Sequence, residues 1–245
     1  MGIEPLVNVI MSVTNRPQNL INSLDAWAKI EYPYFYFTIV DNGSGNPELE
    51  NIAMEHKDVL RTVFFREPSK KNINVIWNKY GKMSSGEYVI FSMMDEIISH
   101  RDIIQKMIDC SQESRVSIFT YFMTLNETMR IEEFNWRNDP TVIPRPYTDQ
   151  TTAGLISHIT GNFKKNWEWF GWFRDNPQGH LWIDQDLHLR ELCLGAKYHC
   201  RTPRDVYCLH QYHKNSPPFD TKEPGYQYKT EAQARLLEPA ERDRS

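Results

Sequence analysis

Four groups of residues carry side chains suited to chemistry. Asp41 opens the polar run Asp41-Asn42-Gly43-Ser44-Gly45, directly after the apolar stretch Tyr34 to Val40. A carboxylate there either closes a turn on its own backbone or accepts from a base N–H or a ribose hydroxyl. Asp95 and Glu96 follow Phe91-Ser92-Met93-Met94. Paired acids at a strand end hold a divalent cation through oxygen, and such a cation neutralises a diphosphate leaving group. The plain alternative is a helix N-cap, because Ser99 and the helical pattern Ile103 to Ile108 follow. Asp184 and Asp186 come just after Trp182. One of them suits a helix cap. The other, set among indoles, would have its pKa raised toward neutrality, which a general base requires. His210 and His213 flank Gln211-Tyr212, with His199, Cys200 and Cys208 nearby. Their C-x7-C-x-H-x2-H spacing fits no common structural zinc pattern. What is left is one histidine serving an acid-bound cation, or histidines of a surface loop.

These side chains need elements to position them. Leu6 to Val13 reads as a buried strand. Thr14-Asn15-Arg16-Pro17 then opens a helix, with Thr14 or Asn15 as cap and Pro17 where a missing N–H costs nothing. Leu20, Ile21, Leu24, Trp27 and Ala28 continue at helical spacing. Tyr34 to Val40 is rich in aromatic and β-branched residues and predicts a second strand. A helix over Glu48 to His56 and a strand over Val59 to Phe65 follow. Ile76, Trp77, Tyr80 and Met83 predict a further helix closed by Gly86, and Tyr88 to Ser92 a fourth strand. Alternating strands and helices argue for a parallel sheet covered on both faces. Ligands of such sheets bind beyond the carboxyl ends of the strands. Thr14-Asn15-Arg16, Asp41 to Ser44 and Asp95-Glu96 all fall at such ends, which nominates one shared site.

The second half is less regular. Ser117 to Phe122 reads as a strand, and residues 126–158 carry few periodic signals. A dense aromatic block runs from Trp167 to Trp182. Its Trp167, Trp169, Trp172 and Trp182 either wall a sugar pocket or, as large indoles usually do, fill the core. Leu187 to Leu194 predicts a helix, and from about Asn215 the chain turns Pro-rich and charged.

Whole-chain numbers limit the classes. The 245 residues are 40% hydrophobic and 24% charged, enough for one large domain or two small ones. A formal net charge of -4 argues against a general nucleic-acid binder, which needs a basic surface. The four cysteines form no C-x-x-C pair, so a reducing compartment is expected. No signal peptide and no membrane-spanning apolar run is read, so a cytoplasmic protein is expected.

Taken in order, the clusters resemble the family-2-like glycosyltransferases of the GT-A fold over roughly residues 6–212. The strand followed by Thr14-Asn15-Arg16-Pro17 is similar to the family's opening strand and its T-Y-N-R-like turn. Val40-Asp41-Asn42-Gly43-Ser44 resembles V-D-[DN]-G-S, and Asn78, Gly86 and Tyr88 match N-x7-G-x-Y. Phe91 to Glu96 falls where the family places D-x-D. Thr160-Gly161-Asn162-Phe163 and Gly171-Trp172-Phe173-Arg174-Asp175 resemble G-G-N-x and G-G-F-D-E. Asp184-Gln185-Asp186-Leu187, Arg190 and Gly195 resemble E-D-x-D-L-x-x-R…G.

The resemblance implies an α/β fold of GT-A type: a Rossmann-like, mostly parallel central sheet flanked by helices. It implies one domain over 1–214, with a nucleotide-binding half to about 99, an acceptor half over 100–214 and a tail over 215–245. It implies donor contacts from Thr14, Asn15, Arg16, Asp41, Asn42, Asn78, Met94 and Asp95. Mn²⁺ or Mg²⁺ would sit on Asp95 and His210, or less readily His213. Asp184, or Asp186 if the motif slides by two, would be the general base. Gly161, Asn162, Trp172 and Trp182 would line the acceptor and sugar pocket. The implied reaction moves a sugar, a UDP-sugar donor being favoured, to an acceptor hydroxyl of a glycan, lipid carrier, protein or modified base, with inversion.

The chain departs from the pattern in three places. Met93 replaces the first acid of D-x-D, Ile183 replaces the first acid of E-D, and the glycine expected after Asn72 is missing. The first two favour an alternative, a degenerate module that binds nucleotide-sugar or glycan without turnover. A nucleotidyltransferase is disfavoured, because Thr14 to Asn19 has no glycine and one Arg for holding a triphosphate.

Overall fold

A computed structural model describes residues 4–114, 118–124, 159–174, 187, 190 and 206–211. The chain begins with β1 (Val7–Val13), α1 (Pro17–Trp27), β2 (Phe35–Asp41), α2 (Pro47–Glu55), α3 (Lys57–Leu60) and β3 (Val63–Arg66). Then come α4 (Ile73–Met83), β4 (Tyr88–Met93), β5 (Glu96–Ile98) and α5 (Ile103–Ser114). Beyond these lie β6 (Ile118–Phe119), β7 (Tyr121–Thr124), β8 (Ile159–Phe163), α6 (Lys164–Phe170) and β9 (Tyr207–His210).

The central sheet has the order β3-β2-β1-β4-β8-β6. β1 pairs in parallel with β2 and β4, and β2 with β3. β8 pairs antiparallel with β4 and β6. Three of the four expected strands of the nucleotide half thus form the expected parallel sheet nearly as bounded, and the fourth is shifted. A smaller sheet, β5-β9-β7, joins the end of β4 to the late strand β9.

Side chains alternate across the main sheet as the strand period requires. Val7, Val9, Met11 and Val13 of β1 pack with Phe37, Ile39, Tyr88 and Ile90 under α1, α2 and α5, around Leu24, Trp27, Ile52 and Met107. Ile10, Val40, Val89 and Phe91 face the other way, against Ile76, Trp77 and Tyr80 of α4 and Trp167 and Phe170 of α6. Both faces are therefore covered, and the strand ends are what remains for a ligand.

Three local expectations are corrected. Helix α1 does begin at Pro17, but its N-cap is Arg16 with no side-chain cap bond, not Thr14 or Asn15. The run from Val59 does not open a strand. Lys57–Leu60 is a helical turn that buries Leu60, exposes Val59 and ends on Arg61 at φ 50, and β3 starts only at Val63. Asp95-Glu96 caps no helix, because Glu96–Ile98 is a strand paired with β9, Glu96 opposite His210. Among the described residues no helix is long and apolar enough to cross a membrane. The boundary expected near residue 214 lies outside the described residues.

Candidate active site

The order β2-β1-β4 puts the chain's reversal of direction between β1 and β4. In open parallel sheets this switch point forms a crevice at the carboxyl ends of the strands. The three polar clusters meet there. Arg16, just after β1, reaches across to Asp95, just after β4, with Nη1 donating to Oδ2 at 2.7 Å. Asn19, in the first turn of α1, donates Nδ2 to the other oxygen, Oδ1, at 2.9 Å. The Thr14 amide points to the Met94 sulfur at 3.3 Å. Gln211 stitches the same corner. Its amide N donates to the Asp95 carbonyl at 2.8 Å, its Nε2 to the Asn19 carbonyl at 2.9 Å, and its Oε1 accepts from Asn22 at 2.8 Å.

Asp41 is fully buried at the end of β2. Oδ1 accepts from the Ser44 amide at 2.9 Å and the Ser44 hydroxyl at 2.6 Å, and Oδ2 from the Gly45 amide and Arg66 Nε, each at 3.2 Å. The carboxylate therefore shapes its own turn, with Gly43 at φ 73 and Gly45 at φ 66. Asn42 binds the backbone of Lys71 in both directions, at 2.8 and 2.9 Å. This straps the loop after β3 onto the turn. On the rim, Asn46 Nδ2 donates to Asn15 Oδ1 at 2.8 Å, linking the ends of β1 and β2.

Glu67 anchors that loop and has no counterpart in the sequence expectations. It is buried and accepts from Lys71 Nζ at 2.7 Å, Lys79 Nζ at 2.6 Å and Tyr80 OH at 2.9 Å. The Lys71 and Lys79 bonds outweigh desolvation and, with Tyr80, pull its pKa down to about 2. The Tyr80 hydroxyl is pushed up by burial and by the carboxylate it serves.

His210 lies on β9 beside this corner, its Nδ1 2.6 Å from Glu96 Oε1. Burial pulls the imidazole pKa down, but the Glu96 hydrogen bond and charge, joined by Asp95, outweigh burial and the opposing Arg16, so the net shift is upward. With Nδ1 directed at Glu96, the pair has the form in which a carboxylate orients an imidazole.

The remaining expected site residues sit deeper. Asn78 bonds the Phe173 backbone from both ends of its amide, at 2.6 and 3.1 Å. Gly161 lies in packed core rather than on an open wall, where a Cβ would come 2.8 Å from the Tyr88 ring. Asn162 is fully buried and accepts from Asn166 at 2.8 Å. Trp172 is buried and stacks on Trp167 at 6.1 Å between centroids, while Trp169 is exposed. Arg190 bonds the Phe170 and Trp172 carbonyls at 2.6 and 2.8 Å. Trp182, Asp184, Asp186 and His213 lie outside the described residues. Sequence reasoning missed Asn19, Glu67 and Gln211. The available signal was the three-residue spacing of Asn19 from Arg16, and neither Glu67 nor Gln211 carried one.

A doubly wound, mostly parallel sheet with its polar edge at this switch point is an α/β architecture of GT-A type. Residues 8–170 match the family model described as glycosyl transferase family 2, and the chain belongs to that family. Among solved structures it is similar to S. aureus TarS in complex with UDP-GlcNAc, at TM-score 0.72 and 15% identity over 96% of this chain and 67% of that one. It is also similar to a mannosyltransferase from Pyrobaculum calidifontis in complex with GDP-Man and Mn²⁺, at TM-score 0.64 and 17% identity over 96% and 62%. The chain thus spans about two thirds of the length of these neighbours. No curated protein matches it.

A divalent cation is implied by this fold, and the donor set can be tested against it. Asp95 is a carboxylate, the ligand type that Mn²⁺ and Mg²⁺ take, and the His210 imidazole beside it is a ligand Mn²⁺ accepts more readily than Mg²⁺. Among the described residues no group of three or more His, Cys, Asp and Glu could hold a metal. The protein would then supply two ligands and leave the rest to phosphate and water, as is usual for such ions. The Arg16 guanidinium on Asp95 is a stand-in that marks the position as suited to positive charge. The residues fit.

Proposed function

We propose that the chain is an inverting glycosyltransferase that moves a sugar from a nucleotide-diphosphate sugar, a UDP-sugar first, to an acceptor hydroxyl. The observation that carries this reading is the Arg16–Asp95 pair across the β1/β4 crevice, next to the Asp41 turn. The nucleoside lies over the ends of β1 and β2, where Thr14, Asn15 and the turn held by Asp41 and Asn42 offer polar rims. Its diphosphate points toward Arg16 and Asp95.

Asp95 and His210 would hold the cation, which neutralises charge on the leaving diphosphate. Asp184 or Asp186 takes the proton of the acceptor hydroxyl. The acceptor oxygen then bonds to the anomeric carbon as the bond to the diphosphate breaks and the diphosphate leaves with the electron pair. Base and leaving group lie on opposite faces, so configuration inverts. Asn78 and Trp172 serve by fixing the backbone of residues 172–173 above α4.

The test is thermal stability of the full chain against UDP, GDP and other nucleoside diphosphates, with Mn²⁺ and with a chelator, followed by turnover. A ligand at about 100 times its dissociation constant adds roughly 2.7 kcal/mol. Asp184→Ala or Asp186→Ala, whichever is the base, should lower turnover about 10²- to 10⁴-fold with nucleotide binding retained. If both variants turn over like the parent, this assignment of the base fails. Met93, at the position of the first D-x-D acid, supports a second reading as a binding module. That reading expects nucleotide binding with neither transfer nor donor hydrolysis.

A further inference from the structure

We propose that Arg16 is a hand-over cation. It neutralises Asp95 before the donor arrives, then passes to the donor's diphosphate as a divalent ion takes Asp95, so that ion and nucleotide bind as a coupled pair. The inference rests on the reading of the crevice as a nucleotide-diphosphate-sugar site.

Both oxygens of Asp95 are engaged, Oδ2 by Arg16 and Oδ1 by Asn19, and its side chain is only 3% exposed. An ion arriving alone must break these bonds and displace a resident positive charge. The ion therefore trades one ion pair for another and gains only the difference, because Arg16 already neutralises Asp95. A lone divalent ion would also strand the displaced guanidinium without a carboxylate. A diphosphate changes this balance. The guanidinium matches phosphate oxygens with its planar fork of donors, and the released carboxylate becomes a ligand for the ion.

The mechanics suit a side-chain movement on a fixed backbone. Arg16 is the N-cap of α1 and its carbonyl accepts from Leu20 N at 3.2 Å, so its Cα is held. Its side chain makes no capping bond and is 31% exposed, in contrast to Asp95. Asn19 is neutral and sits further inside the first turn of α1, so it can keep orienting Asp95 after Arg16 leaves. Met93 and Met94 add no carboxylate to compete for the guanidinium. Asp95 is the nearby acid to which this chain ties Arg16, and a chain with an acid at position 93 would divide that attraction.

Coupling of two ligands is reciprocal, and this gives the test. Mn²⁺ binding is followed by electron paramagnetic resonance of the free ion, and UDP binding by calorimetry, on the full chain. In the parent protein Mn²⁺ alone should bind weakly. Saturating UDP should strengthen Mn²⁺ roughly tenfold or more, and Mn²⁺ should strengthen UDP by the same factor. Arg16→Met keeps the apolar stem without the charge. It should bind Mn²⁺ alone roughly tenfold tighter than the parent, bind UDP more weakly, and lose most of the coupling. Arg16→Lys should restore coupling. If Arg16→Met does not fold, Arg16→Gln, which keeps a polar head without the charge, should tighten Mn²⁺ alone in the same direction.

Unchanged Mn²⁺ affinity in Arg16→Met overturns the proposal. So does UDP affinity in the parent that is equal with Mn²⁺ and with chelator, which would make Arg16 a permanent substitute for the ion. If no nucleoside diphosphate binds the parent under any condition, the donor reading itself falls and takes the proposal with it.

Discussion

Asp41 and Glu67 are both buried carboxylates in this corner, and they differ in what they hold. Asp41 closes its own turn, the plainer of the two roles its sequence position allowed, and each of its oxygens accepts two bonds. Asp41→Asn keeps the size but offers one acceptor oxygen and turns a donor toward Gly45 N or Arg66. It should cost about 1–3 kcal/mol, read as a fall of roughly 2–4 °C in Tm per kcal/mol. Glu67 was not legible in the sequence, because its partners come from the following loop and from α4 and an isolated Glu after a strand signals nothing. Its pKa is lowered from 4.5 to about 2. A group depressed in the folded state stabilises above its unfolded pKa and loses that contribution as pH falls through the folded one. The Tm of the parent should therefore drop between about pH 4.5 and pH 2 by more than that of Glu67→Gln, whose Tm should already be lower at pH 7. Parallel pH profiles for the two proteins would show that Glu67 contributes nothing through its charge.

At the scale of elements, the long apolar runs of β1, β2 and β4 were legible because burial on both faces needs continuous hydrophobic sequence. Short elements were not. β5 is three residues long and exists through its pairing with β9, more than a hundred residues later, so nothing local distinguishes it from a helix cap. α3 is one turn whose direction is decided by burial of Leu60. The turn at 42–45 is a case where sequence and packing act together. Gly43 and Gly45 both have positive φ, but a Cβ on Gly43 would run into the backbone of Ser69 and Lys70, whereas one on Gly45 would meet nothing within 4 Å. Left-handed backbone costs a non-glycine residue about 1–2 kcal/mol. Gly45→Ala should show that cost alone. Gly43→Ala should exceed it clearly and loosen the strap between Asn42 and Lys71. Equal denaturation midpoints for the two variants would mean the loop after β3 does not rest on the turn.

For the whole molecule, the arrangement brings distant segments to one crevice. The crevice is built from the turn after β1, the turn after β2, the end of β4 and the tip of β9. Gln211 ties the last of these to α1 and to Asp95 through three hydrogen bonds of 2.8 to 2.9 Å and one longer contact to the Met94 carbonyl. The motif order in the sequence revealed the first three parts, since each is a polar cluster after a strand. It did not reveal that Gln211 closes the fourth side, because a single Gln beside a His carries no pattern. Amides that open only when a ligand site opens gain protection when ligand binds. Nucleoside diphosphate with Mn²⁺ should therefore slow hydrogen exchange together in 14–19, 42–46, 94–96 and 209–211, while α5, which packs against β8 and β6, changes little. If UDP protects 42–46 but leaves 94–96 and 209–211 unchanged, the nucleoside binds at the Asp41 turn alone and the diphosphate does not reach the β4 end. Protection of 209–211 without the β1 and β2 turns would place the ligand outside the switch point altogether.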